Sequence, residues 1–372
     1  MELIPLLEMM RDKKASDLFI TSGLPPEMKI DGKIVPVSDE AIEADVAMEV
    51  VTSMMTPPQR EEFEATHECN FAIGEKGVGR FRASAFIQRG QAGVILRRIE
   101  TYIPSMEELR LPPILKNLAM TKRGLIVFIG ATGTGKSTSL ASMIGYRNSH
   151  GSGHIITIED PIEFVHPHDQ CIITQREVGI DTESYETALK NTLRQAPDVI
   201  LIGEVRDRET MNHAIAFAET GHLCMATLHA NNANQAMDRI VNFFPEDRRS
   251  QLFMDLSMNL KAFIAQQLIP RADGNGRRAC IEILLGTPLV QDVVRKGEVY
   301  KLKELMKQSS QQGMITFDQA LFALYKEGEI SLDDAMHFAD SANEVRLMVK
   351  LDKDDVSKYD AAMEDVFLEE QE

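Results

Sequence analysis

Apolar residues in the first hundred positions recur at short, changing periods. Leu3, Leu6, Leu7 and Met10 keep helical spacing and predict a short amphipathic helix, followed by the apolar run Leu18-Phe19-Ile20 after Asp17. Met28 to Val35 reads as two strands about an Asp31-Gly32 turn, since Asp-Gly supplies the positive φ angles of a two-residue hairpin. Residues 41–65 are helical in character. Arg80 to Phe86 alternates polar and apolar, as a half-buried strand does, and Val94 to Ile99 is another strand. A small domain mixing α and β is expected over residues 1–104.

From Pro104 to Pro113 the period disappears and three prolines intervene, so residues 105–114 are expected to be a linker. Beyond it, over 115–349, strands and helices alternate, which predicts an α/β domain with a parallel sheet. Leu125–Ile129, His154–Ile158, Val199–Ile202 and Leu223–Leu228 are its strands. A helix over 209–220 stops at Gly221, a favourable residue after a helix end, and strand, helix and strand make a right-handed crossover. A long helix is expected over 246–266, followed by a helical part to about 345. Residues 350–372 are set apart as a tail, because nine acids stand there against three lysines, a net charge of −6.

At 372 residues the chain exceeds one ordinary core, in keeping with this division. No apolar run approaches the ~18 residues of a membrane span. Met1-Glu2-Leu3-Ile4-Pro5 has no basic stretch of the kind that opens a secretory signal, so a cytoplasmic protein is expected. The four cysteines are scattered without a Cys-x-x-Cys pair, which argues against zinc sites and disulfides and for reduced thiols. A net charge of −17 argues against nucleic acid as a partner.

The strongest chemical signal follows the first parallel strand. Gly130-Ala131-Thr132-Gly133-Thr134-Gly135-Lys136-Ser137-Thr138 fills every fixed position of G-x-x-x-x-G-K-[ST], with a buried-type strand before it and a helix start after it. Such a loop makes an anion site from backbone amides and a helix N-terminus. Lys136 is expected to reach the β- and γ-phosphates of ATP, and Ser137 to ligate Mg²⁺. Glu159, Asp160 and Glu163 follow one later strand and Glu204 another, at the carboxyl ends where open parallel sheets bind ligands. Hydrolysis needs one carboxylate to organise Mg²⁺, which suits Glu204, and another to polarise water, which suits Glu163 or Glu159. Read without that context, these are ordinary surface acids.

His222 and His229 bracket the strand 223–228, about 23 Å apart if extended at ~3.3 Å per residue, so both cannot touch one γ-phosphate. His229 shares the carboxyl end with Glu204 and is the candidate phosphate sensor. His222 lies at the opposite end, where packing or a subunit interface is the expected role. Arg80, Arg82, Arg97 and Arg98 form a basic stripe on neighbouring strands. Alternation puts Arg80 and Arg82 on one face and points Arg97 and Arg98 opposite ways. The stripe is either a solvated face or an arginine clamp on the charge that develops during phosphoryl transfer.

Four blocks in order, G-A-T-G-T-G-K-S-T, I-T-I-E-D-P-I-E, R-Q-A-P-D-V-I-L-I-G-E-V-R-D and T-G-H-L-C-M-A-T-L-H-A-N-N-A, strongly resemble the Walker A, Asp box, Walker B and His box of secretion-superfamily ATPases, specifically the type IV pilus retraction branch of PilT and PilU. The resemblance covers nearly the whole chain, including Gln312-Gly313-Met314-Ile315-Thr316-Phe317-Asp318. It implies a PAS-like α+β N-terminal domain, a RecA-like P-loop ATPase domain and a helical C-terminal part. It further implies a homo-hexamer in the cytosol, peripheral to the inner membrane on the pilus platform protein PilC, driven by ATP and Mg²⁺. Where PilT-like chains carry A-I-R-N-L-I-R-E, this one reads Leu289-Val290-Gln291-Asp292-Val293-Val294-Arg295-Lys296. That departure and the acidic tail favour the accessory PilU type, acting with PilT. Competing readings are an ATP-binding regulatory ring partner of PilT with dispensable hydrolysis, an extension or secretion ATPase, which would carry a paired-cysteine zinc site, and a small-molecule P-loop kinase, which would need a lid and an acceptor pocket.

Overall fold

A computed structural model describes residues 2–30 and 32–352. Asp31 of the expected hairpin turn, and the acidic tail from 353 onward, lie outside the described residues. The chain forms two compact units. The first comprises Met1–Ile103 with Asp160–Pro167 and Gln175–Ala188, and the second Pro104–Glu159, His168–Thr174 and the chain from Leu189.

The first unit is built on one antiparallel sheet. Its elements are α1 (Leu3–Asp12), β1 (Asp17–Thr21), β2 (Glu27–Ile30), β3 (Lys33–Pro36), α2 (Ala44–Ser53), α3 (Pro57–Thr66), β4 (Glu68–Glu75), β5 (Gly79–Gln88) and β6 (Gln91–Arg98). The strands run in the order β3-β2-β1-β6-β5-β4, with every neighbouring pair antiparallel. Alternation on β5 buries Phe81, Ala83 and Ala85 and leaves Arg80, Arg82 and Ser84 on the other face. Leu7 and Met10 of α1, Val50 and Val51 of α2 and Phe63 of α3 join the buried strand residues in one core.

The second unit is a seven-stranded, mostly parallel sheet. It begins with α4 (Ile114–Ala119), β7 (Gly124–Ile129), α5 (Lys136–His150) and β8 (Gly153–Glu159). After β9 (Cys171–Glu177) and α6 (Tyr185–Thr192), of which residues 175–177 and 185–188 belong to the first unit, come β10 (Val199–Ile202), α7 (Arg208–Glu219), β11 (Leu223–Leu228), α8 (Ala233–Asn242) and α9 (Glu246–Asn259). A hairpin of β12 (Leu260–Pro270) and β13 (Arg277–Leu285) leads into α10 (Pro288–Arg295), α11 (Leu302–Gln308), α12 (Phe317–Lys326), α13 (Leu332–His337) and α14 (Ala342–Leu351). The order is β13-β12-β7-β11-β10-β8-β9, parallel from β12 through β8, with β13 antiparallel at one edge. All six residues of both β7 and β11 are buried, so these strands read as continuous apolar runs rather than alternating ones.

Two expectations fail: the helical part expected after 266 begins only at Pro288, after the strands β12 and β13, and the helix before it is too long. The helix anticipated over 246–266 ends at Asn259, and residues 260 onward form β12. Leu260 turns extended at ψ 124° while the Asn259 side chain donates to Asp255 O at 2.9 Å, closing the helix. Beyond it the chain lies between β7 and β13 and buries both faces at Ala262, Phe263, Ile264 and Ala265. A strand covered on both sides loses its period of two, and a run of this kind cannot be told from buried helix by spacing alone. Among the described residues no helix is long and apolar enough to cross a membrane. The four cysteines are buried and free.

Candidate active site

The phosphate loop leaves β7 at its carboxyl end and turns directly into α5. A side chain at Gly130 would place its Cβ 2.5 Å from Thr134 Oγ1 and 2.8 Å from the backbone oxygen of Gln266, so only glycine fits. Gly135 holds φ at +82° as the residue that enters the helix, a region costly for other L-residues. No side chain caps α5, and its first turn opens on the loop. Backbone donors and the positive end of the helix dipole therefore face the loop. The buried Lys136 ammonium donates to Gly130 O at 2.7 Å and to Ala131 O at 2.8 Å, which holds its charge inside the same curl.

Sequence reading missed the residue that braces this loop. Gln266, buried in β12, donates from Nε2 to Thr134 O at 2.9 Å and accepts from Ser139 Oγ at 2.8 Å. One side-chain amide thus ties the loop backbone to the first turn of α5. The available signal was the polar pair Gln266-Gln267 inside an apolar run, obscured once that run was taken for helix.

Glu204 and His229 follow the neighbouring strands β10 and β11, which are parallel with Ile202 opposite Ala226. Thr227 Oγ1 donates to Gly203 O, and Val205 N donates to Thr227 O at 2.8 Å, so the two strand ends are locked together. The half-buried Glu204 carboxylate stands 3.2 Å from His229 Nε2 through Oε1 and accepts from Arg206 Nε at 2.7 Å through Oε2. Glu159 ends β8 and accepts from the Thr157 hydroxyl at 2.6 Å. A cleft of about 710 Å³ is lined by Ala131, Thr132, His229, Asn231, Arg239 and Phe243, joining the loop to the histidine. The oxygen donors here (Ser137, Glu159, Glu204) are hard ligands of the kind Mg²⁺ takes, one or two carboxylates with the rest from phosphate and water. His222 lies before the amino end of β11, where its ring contacts Thr220 Oγ1 at 3.0 Å and its carbonyl accepts from Gly124 N.

The second unit therefore gathers the loop, Glu159, Glu204 and His229. Glu163 and the four arginines belong to the first unit, and Glu163 is exposed. Arg82 pairs with the buried carboxylate of Glu177, which also accepts from Ile162 N at 3.2 Å. Arg97 donates to Asp17 at 2.8 Å, Arg98 to Glu100 at 3.0 Å, and Arg80 lies 4.0 Å from Asp181. Arg82 and Arg97 are cross-strand partners on one face of the sheet.

The model of the Type II/IV secretion system protein family matches residues 94–315, more than half of the chain. The chain belongs to this family. It is 64% identical over 351 residues to the type IV pilus ATPase PilU of Pseudomonas aeruginosa, covering 94% of this chain and 92% of that one. The retraction ATPase PilT of the same organism is 39% identical over 335 residues, 90% of this chain and 97% of PilT. A crystal structure of the pilus retraction motor PilT with bound ADP superposes with a TM-score of 0.86 at 40% identity, covering 92% of this chain and 98% of that one. Within the family this is a nucleotide-binding ATPase of the PilT/PilU branch.

Proposed function

We propose that this ATPase powers or assists type IV pilus retraction, and hence twitching motility, as the PilU-type accessory that works with a PilT-type motor. The observation that carries the reading is the Glu204–His229 pair at 3.2 Å beside a complete phosphate loop, in a chain 64% identical to a PilU. In this reading the loop from Gly130 to Thr138 binds ATP through its amides, and Lys136 leaves the loop carbonyls for the β- and γ-phosphates. Ser137 and Glu204 would hold Mg²⁺. Bound there, the ion would neutralise charge on the phosphate oxygens. Glu159 or Glu163 orients the attacking water, and His229 reports the γ-phosphate to Glu204. Arg80, Arg82, Arg97 and Arg98 act as the clamp on developing charge, which asks them to exchange the carboxylate partners they hold here. His222 serves packing or an interface.

The organisation proposed is an N-terminal PAS-like domain over 1–104, a linker over 105–114, an ATPase domain over 115–349 and an acidic tail. Six copies would form a cytoplasmic ring at the inner membrane, on the platform protein PilC. A dependent rather than autonomous motor is favoured by α10, where Gln291 and Lys296 stand in place of the arginine and the glutamate of PilT-like chains. The ATP-binding regulator with dispensable hydrolysis is the alternative. The two separate in cells lacking the native gene, scored for twitching with a PilT-type motor present. Glu204→Ala should fail to restore motility, and full restoration by Glu204→Ala would establish the regulator instead.

A further inference from the structure

The short loop from His229 to Asn232 is fastened to the C-terminal helices at its far end, by groups that nucleotide chemistry does not use. Glu282 sits in mid-β13 and is buried. Its Oε1 accepts from Ala233 N at 2.8 Å and its Oε2 from Phe317 N at 3.1 Å. Ala233 and Phe317 are the first residues of α8 and α12. Both helices already have side-chain caps, since Asn232 accepts from Gln235 N and Thr316 from Gln319 N. Glu282 is therefore not needed simply to start either helix. A buried carboxylate is costly unless its oxygens are satisfied, and this one joins two helix starts that lie far apart in sequence.

A second fastening lies next to it. Asn232 Nδ2 donates to Asp340 Oδ2 at 3.0 Å. Lys303 holds Asp340 at 3.0 Å and the buried Asp318 at 3.2 Å, and Asp318 accepts from Ser341 N at 3.1 Å. The corner Asn232-Ala233 is thus gripped on adjacent residues by groups from β13 and from the α11–α14 region. His229 is three residues upstream, too short a tether for the corner to shift without it.

We propose that Glu282 and Asp340 are positioning residues for ATP hydrolysis, which hold His229 against Glu204 by fixing the start of α8 to the C-terminal helices. The inference rests on the reading of His229 as the phosphate sensor. Its chemistry is specific, because the ionised carboxylate, which prevails above about pH 7, offers two acceptors to two amides, whereas a glutamine offers one acceptor and one NH₂ group that opposes the second donor.

A double-mutant cycle on the full chain at pH 8 tests it, reading kcat and KM for ATP, the Kd of a fluorescent ADP analogue, and Tm. Glu282→Gln should lower kcat about tenfold while the ADP Kd stays within about twofold, and combining it with His229→Ala should be no worse than His229→Ala alone. Such non-additivity is what groups acting as a unit give. If His229→Ala lowers kcat but Glu282→Gln does not, or if their losses multiply, positioning is overturned while the His229 reading stands. If His229→Ala leaves kcat unchanged, that reading fails and the inference falls with it. Should Glu282→Gln not fold, Asp340→Asn at the partly exposed end of the network enters the same cycle, with the same outcomes deciding.

Discussion

At the scale of single residues, the phosphate loop was legible because backbone geometry fixes its sequence. Gly130 and Gly135 are required by a close approach and by a positive φ, and both requirements exist before any ligand binds. Glu204 and His229 were legible for a related reason, since residues just past parallel strands must converge at one edge of the sheet. Gln266 was not, because its role comes from tertiary contacts of a strand far along the chain. Lys136→Ala should abolish detectable ATP binding, whereas Glu204→Ala should retain binding and lose at least about a hundredfold in kcat, a split that equilibrium binding and turnover resolve. Gln266→Leu removes two hydrogen bonds from the loop without emptying the site. It should weaken nucleotide binding about tenfold, roughly the ~1.4 kcal/mol expected of one to two net hydrogen bonds, and titration with an ADP analogue measures it.

Among the elements, periodicity located α1, β5, β7, α7, β10 and β11, where one face or both faces are uniformly apolar. It failed at β12, where Leu252 and Leu256 of α9 continue into Leu260 at the same spacing although the chain has become a strand. The β13 residue Glu282 gives this region a pH signature. Burial pushes its carboxyl up to about 7, against the pull of the two amides it accepts from. A carboxyl raised in the folded state contributes stability that is fully present below its unfolded value and is lost as pH rises through about 7. The full effect is on the order of 3 kcal/mol. In the first unit, burial lowers His166 to about 4, so its contribution is present above the unfolded value near 6.5 and is lost as pH falls through about 4. Melting temperatures from pH 4 to 8 should show Glu282→Gln flattening the neutral side of the profile and His166→Gln flattening the acid side. Unchanged slopes in both variants would contradict these assignments.

For the whole molecule, the family was legible because four blocks stand in fixed order between Gly130 and Ala233. The acidic composition of residues 350–372 was equally plain, but composition does not say what such a segment binds. Deleting residues 353–372 is expected to weaken capture of a PilT-type partner at low salt, as a −6 segment recognised by charge would. Capture that is unchanged in a pull-down from purified components would remove the tail from partner choice.

Hydrolysis of ATP by this chain as an assembled motor is the function all of these residues serve. It is tested most directly by ATP turnover of the purified protein over a concentration series, with and without a PilT-type partner and with Glu204→Ala as control. Turnover per chain should rise with assembly, alone or once the partner is added, and disappear in Glu204→Ala. No turnover above the Glu204→Ala control under either condition would contradict it.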